Sequence, residues 1–257
     1  MTFTKEKLAD QLFHAYQANE PLSQQAVEQS GLTPENAYDV QHAFNRTKGE
    51  MLSGYKISLT SKETQDLFHS DSPLYGEIVA SKLRKNGATL KRADMNVPLL
   101  ELEIECLVKE ELSATDSLPD LLAKCDLAPG VEVPDSRFKD WFPSLPLVLV
   151  IADSAVCGCV VVGDAAENKP DVTDLSDVHA SLTRDGKLLE EGNSSEVLGN
   201  PLHALKWLVD KLAQEGRALK AGTVVSTGTF CMPQKMTVGH YEAVFDHGLG
   251  CVSFDVQ

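Results

Sequence analysis

No run of 18 apolar residues occurs in this chain of 257 residues, so no membrane-spanning helix is expected. Met1 to Asn19 is mixed and charged and lacks the apolar centre of a secretory signal. The six cysteines, Cys106, Cys125, Cys157, Cys159, Cys231 and Cys251, form no CxxC pair and no Cys/His cluster with zinc spacing. Cys157 and Cys159 alternate along an apolar stretch as buried strand thiols would. The expectation is a cytoplasmic protein with reduced core cysteines. Basic residues are scarce: 23 Lys and Arg against 38 Asp and Glu give a formal charge of −15. That argues against nucleic acid as the main partner, because phosphate binding needs clustered Lys and Arg. An anionic substrate would need a local positive centre, either a bound cation or a well-placed lysine. Internal repeats and low-complexity tracts are absent as well.

What remains is a chain with 42% hydrophobic residues, enough for a sizeable core. One large domain, or a main domain with a smaller N-terminal one, is the natural prior. Residues 4–18 carry Leu8, Leu12, Phe13 and Tyr16 at helical spacing, and residues 34–48 carry Ala37, Val40 and Phe44. Thr33-Pro34-Glu35 reads as a helix start, with Thr33 as cap. Gly54 to Leu59 suits a short strand, and residues 62–68 suit one or two helical turns. Val97 to Val108 reads as a strand. Pro119 to Lys124 and Trp141-Phe142 look like helix ends or loops. Leu147 to Asp153 and Val156 to Gly163 are two apolar, β-branched stretches. Asp185-Gly186 marks a hairpin between Val178–Thr183 and Lys187–Glu191. Pro201 to Glu215 is an amphipathic helix, and Thr223–Thr229 and Tyr241–Phe254 read as strands. The pattern is α+β, helical at the front and strand-rich behind. The expected division is a helical N-terminal part with the Lys56 strand (1–94) and a β-rich catalytic part (95–257).

Glu101-Leu102-Glu103-Ile104-Glu105 is the most informative segment. On a strand Glu101, Glu103 and Glu105 share one face, and carboxylates two residues apart sit roughly 6–7 Å from each other. Two such oxygens can converge on a hard cation such as Mg²⁺ or Mn²⁺. The spacing alone favours a solvated acidic strand face, which is common in a chain this acidic.

Several segments in order bear on that choice. Gly54-Tyr55-Lys56-Ile57-Ser58-Leu59-Thr60-Ser61-Lys62, the strand Glu101 to Lys109, and Val131-Glu132-Val133 with Asp135-Ser136-Arg137 and Asp140-Trp141 come first. Gly199-Asn200-Pro201-Leu202 through Leu208, Leu219 to Thr229, and Gly248 to Ser253 complete the set. Together they resemble the 2-keto-4-pentenoate hydratase and 4-oxalocrotonate decarboxylase family of the fumarylacetoacetate hydrolase superfamily, from about residue 37 to the C-terminus. The resemblance implies a helical N-terminal part followed by the mixed β-rich fold of that superfamily. It implies Mg²⁺ or Mn²⁺ held by Glu101, Glu103 and Glu132, with Lys56 as the catalytic group. It also implies a homo-oligomer acting on a small 2-oxo or 2-hydroxydienoate acid. The activity expected is a hydro-lyase adding water to a 2-hydroxydienoate. Decarboxylation of a 2-oxo-enedioate is the alternative, a C–C bond hydrolase of the acylpyruvate type comes third, and a non-catalytic relative is a reading from another class. Tyr75, Ser154, Thr227 and Gly228 are the expected substrate contacts, although Gly228 and Thr229 also read as an ordinary turn. Arg137 and Glu105 are expected to support the metal ligands from behind.

The chain departs from the family pattern at several positions. Glu105 stands where Ala or Gly is usual, which permits a shifted ligand pair of Glu103 and Glu105. Leu74 replaces an active-site Asp. Ser154, Val156 and Cys157 replace an Asn and paired serines, and Ser58 replaces a Gly. These changes predict a retained metal site with a less polar substrate pocket.

Overall fold

The computed structural model describes residues 4–27 and 31–257. Two capped helices come first. In α1 (Lys5–Ala18) the Thr4 hydroxyl accepts from the Lys7 N–H, and in α2 (Pro34–Thr47) the Thr33 hydroxyl accepts from the Asn36 N–H. Leu8 and Leu12 of α1 and Val40 and Phe44 of α2 are buried where the two helices pack. The chain then runs through β1 (Leu52–Ser58), α3 (Lys62–Leu67), β2 (Leu74–Val79), β3 (Leu83–Lys85), β4 (Ala88–Leu90) and β5 (Leu99–Val108). It continues through α4 (Leu118–Ala123), β6 (Cys125–Pro134), α5 (Leu147–Ala152), β7 (Cys157–Val162), β8 (His179–Arg184) and β9 (Lys187–Asn193). Last come α6 (Pro201–Gln214), β10 (Val224–Ser226), β11 (Gln234–Lys235), β12 (Gly239–Phe245) and β13 (Gly250–Val256).

The strands form two mixed sheets. The eight-stranded sheet has the order β2-β1-β10-β5-β6-β7-β3, with β11 also on β5, and the five-stranded sheet has the order β4-β13-β12-β8-β9. Three registers of the larger sheet set the site. Lys56 of β1 lies opposite Ser226 of β10, Ser226 lies opposite Glu105 of β5, and Glu101 of β5 lies opposite Glu132 of β6. Residues directly opposite point to the same face, so the three β5 glutamates share a face with Lys56, Ser226 and Glu132.

The α+β class agrees with the sequence reading, and most elements fall within a few residues of it. The exceptions have physical causes. The apolar run Leu147–Ala152 is the helix α5 rather than a β-branched stretch like its neighbour; a short, fully buried run shows no period to separate the two. β6 went unread as a strand because Pro129 and Gly130 sit in its middle. The core-cysteine expectation holds for Cys106, Cys125, Cys157 and Cys159. Cys231 is half-buried and Cys251 is exposed on β13, and all six are free thiols.

Candidate active site

The acidic face of β5 points inward. Glu103, Glu105 and Glu132 are each at most 1% exposed, which rules out the solvated-face reading, and Glu101 is half-buried. One carboxylate oxygen from each of Glu101, Glu103 and Glu132 lies within 4.8 Å of the others. Glu132 arrives from the neighbouring strand, directly across from Glu101. Gly130, opposite Glu103, leaves room for the neighbouring Glu105 side chain: a Cβ there would stand 2.2 Å from Glu105 Oε1. Lys56 is buried beside the cluster, and its Nζ donates to Glu132 Oε1.

Glu103 is held by two donors. The Gly228 N–H reaches its Oε2 at 2.7 Å and the Ser226 hydroxyl at 2.6 Å. Ser226 Oγ also lies 2.9 Å from Glu105 Oε1. The second oxygens of Glu105 and Glu132 have no hydrogen-bond partner among the described residues.

The electrostatics follow from burial. Desolvation, with repulsion from Glu132 added, pushes the Glu101 carboxyl up to about 8 against the pull of Lys56. Glu103 is driven well above the usual carboxylate range by burial and then by Glu132, Glu101 and Glu105. Burial raises Glu132 as well, although Lys56 opposes it, and it pushes Glu105 up to about 8. Burial alone would lower Lys56, but the attraction of Glu132 and Glu101 outweighs it and the net direction is upward. With its three carboxylates ionised, the cluster and one ammonium carry −3 + 1 = −2. A divalent cation would bring that sum to zero. The all-oxygen donor set, its convergence and the unpartnered oxygen of Glu132 fit Mg²⁺ or Mn²⁺.

Lys56, Glu101 and Glu103 form the charged floor of a cavity. Its walls include Phe68, Trp141, Phe142, Val156, Thr229 and Met232. None of the four expected substrate contacts lines this cavity. Tyr75 lies one residue out of step with Lys56, opposite Ile57. Its ring stacks on Tyr38 with centroids 4.5 Å apart, its hydroxyl donates to Glu215 at 2.7 Å, and it does not line the cavity. The Ser154 hydroxyl accepts from the Glu77 N–H at 3.0 Å and from Asn45 at 2.9 Å, and donates to the Glu77 carbonyl at 2.9 Å. It therefore ties the turn after α5 to β2 and α2. The Thr227 hydroxyl donates to the Ile104 carbonyl at 2.8 Å. Gly228 spends its N–H on Glu103, and a Cβ at this position (φ +121°) would meet Thr60 Oγ1 at 2.3 Å. Each of these groups was legible as polar and near a strand end; none of the partners was.

Arg137 touches no carboxylate of the cluster. It pairs with Asp153 and donates to the carbonyls of Asp135 at 2.8 Å and Cys157 at 2.6 Å. It thus clamps the segment that follows Glu132 against the turn Asp153–Cys157. In that turn Ser154, Ala155 and Val156 all have positive φ, and Val156 faces the cavity. Of the three apolar replacements noted in the sequence, only Val156 borders the cavity; Leu74 and Cys157 are buried outside it. Ser226 was missed as a ligand-orienting group. Its place in the Ser226-Thr227-Gly228-Thr229 motif was the available signal.

Beyond the two-sheet α+β fold and the buried carboxylate trio beside a lysine, residues 136–257 match the family described as "Fumarylacetoacetate (FAA) hydrolase C-terminal". Among individual proteins, the chain is 35% identical over 222 residues to a 2-keto-4-pentenoate hydratase of Burkholderia vietnamiensis, covering 84% of this chain and 83% of the relative. It is 30% identical over 227 residues to a 4-oxalocrotonate decarboxylase of Pseudomonas putida, covering 86% and 85%. The structure of 4-oxalocrotonate decarboxylase from Pseudomonas putida G7, complexed with magnesium and adipate, superposes with a TM-score of 0.88 at 25% identity, covering 100% of this chain and 99% of that one. The chain belongs to the 2-keto-4-pentenoate hydratase and 4-oxalocrotonate decarboxylase family of the fumarylacetoacetate hydrolase superfamily.

Proposed function

We propose that the protein is a metal-dependent hydratase that adds water to a 2-hydroxydienoate and gives a 4-hydroxy-2-oxo acid. The observation that carries this reading is the convergence of Glu101, Glu103 and Glu132, with Lys56 beside them, where Lys56, Glu101 and Glu103 line one cavity. The kinship with a hydratase at 35% identity supports it. A divalent cation bound there would supply electrophilic stabilisation of negative charge on an enolate oxygen. Ser226 and the Gly228 N–H orient the Glu103 carboxylate, so one ligand is fixed before substrate enters. Lys56, held as an ammonium by Glu132, is placed to give a proton to C5 as the 2-hydroxyl proton leaves to water; the dienol becomes a conjugated enone, to which water then adds at C4. Trp141 and Phe142, edge to face with centroids 5.5 Å apart, together give the cavity an aromatic wall against which a flat diene would lie.

The test is turnover of 2-hydroxypenta-2,4-dienoate followed by NMR of the product. Formation of 4-hydroxy-2-oxopentanoate should stop with a chelator and return with Mg²⁺ or Mn²⁺. Full turnover after exhaustive chelation would sink the reading. The second reading, decarboxylation of a 2-oxo-enedioate, is favoured by the superposition on a decarboxylase along the whole chain. Release of CO₂ from the diacid without hydration would select it. In either case residues 1–94 would bring the lysine and α3, and residues 95–257 the three ligands. We also read the protein as a cytoplasmic homo-oligomer, and light scattering that shows a monomer would reject the assembly.

A further inference from the structure

The charged side chains lining the cavity are confined to its floor: Lys56, Glu101 and Glu103. The lysine is already paired with Glu132. The rest of the wall is apolar or carries neutral hydroxyls, and two of those hydroxyls are occupied. Thr64 is tied into the capping box of α3, and Thr229 Oγ1 donates to the Cys231 carbonyl at 3.0 Å. The cations that the sequence offered as partners for a second carboxylate stand elsewhere. Lys62 is largely exposed and paired with Asp66, and Arg84 borders a separate cavity with Lys82 and Lys91. Leu67 at the end of α3 and Met232 in the segment before β11 both line the cavity, yet they are 39% and 41% exposed. Two segments distant in sequence thus bring exposed large hydrophobics to one rim.

Resting on the reading of the cavity as a 2-oxo and 2-hydroxydienoate site, we infer that its outer end selects substrates with an uncharged alkyl tail, and that Leu67 and Met232 form the rim packing against that tail. The physical basis is twofold. An alkyl tail removes the apolar surface of Leu67 and Met232 from water along with its own. A terminal carboxylate would have to lose water with no cation to replace it. The flat part of the molecule would lie against the wall that Trp141 and Phe142 form, leaving the tail to reach the rim.

Binding tests this without requiring turnover. Calorimetry on the full chain with saturating Mg²⁺ would use 2-oxopentanoate, 2-oxohexanoate and 2-oxoadipate. The added methylene should tighten binding about fourfold, and the terminal carboxylate should weaken it about thirtyfold or more relative to 2-oxohexanoate. In Met232→Arg and Leu67→Arg the diacid should gain affinity and 2-oxohexanoate should lose it. Both positions are exposed, so the variants should fold. Val238→Arg, at a hydrophobic 64% exposed and outside the cavity, should leave all three affinities unchanged. A diacid that binds the wild type as tightly as 2-oxohexanoate would overturn the inference, and so would an unchanged preference in both rim variants. Failure of the hydratase reading would show up separately, as ordered binding of these acids without hydration of any dienoate.

Discussion

Two groups of buried carboxylates sit on the same sheet and are treated in opposite ways. Glu77 on β2 is 6% exposed and meets three donors: His42 Nδ1 at 3.0 Å, Asn45 Nδ2 at 3.2 Å and Arg217 Nη2 at 2.6 Å. Burial alone would raise its carboxyl, but the His42 hydrogen bond and the charges of His42 and Arg217 overcome that and hold it at about 2. Glu101, Glu103 and Glu132 share one ammonium, and all three are pushed upward. Glu77 is a finished structural ion cluster. The β5–β6 trio is short of positive charge, and that deficit is what a divalent cation fits.

The largest effects should come from the under-compensated group. Glu103→Gln and Glu132→Gln remove ligands outright, so Mg²⁺ affinity measured by calorimetry should fall by more than the roughly hundredfold loss typical of outer-shell changes. Steady-state kinetics should show Lys56→Met lowering kcat by about 10²–10⁴ while Mg²⁺ binding persists, as expected for a group that moves a proton. Turnover that survives Lys56→Met would remove the lysine from the chemistry.

Glu77 should answer in stability instead. Its folded pKa lies below the ordinary value of 4.5, so its contribution is present above 4.5 and is lost as pH falls toward about 2. Glu77→Gln should cost about 3 kcal/mol in urea unfolding at pH 7 and leave Mg²⁺ affinity unchanged. The smallest effect belongs to Glu105→Gln. That carboxyl is raised by burial to about 8, and a neutral amide there should change stability at pH 5 by no more than about 1 kcal/mol. The sign of its pH dependence is the reverse of Glu77. A raised carboxyl stabilises at low pH and loses that contribution as pH rises through about 8. The metal-free protein should therefore lose thermal stability as pH rises from about 4.5 to about 8, and less so in Glu105→Gln.

The contrast also explains what the sequence could and could not reveal. The ligand strand was readable because Glu101, Glu103 and Glu105 obey the period of two, and period determines which side chains share a face. Which pair converges with Glu132 was not readable from spacing, because that depends on Glu132 lying across from Glu101. Long-range pairing of that kind leaves no local signature. The same holds for the cavity wall, which is assembled from α3, the Trp141-Phe142 segment, the turn at Val156 and the segment around Met232. Tyr75 and Ser154 look like substrate contacts by proximity to motifs, yet register and hydrogen bonding direct them into the core.

The central claim is that Glu101, with Glu103 and Glu132, forms the cation site and that Glu105 does not. Titration calorimetry with Mg²⁺ on the wild type, Glu101→Gln and Glu105→Gln tests it directly. One ion per chain is predicted for the wild type, no measurable tight binding for Glu101→Gln, and near wild-type affinity for Glu105→Gln. Retained binding in Glu101→Gln with loss in Glu105→Gln would contradict the account and move the site one pair along the strand.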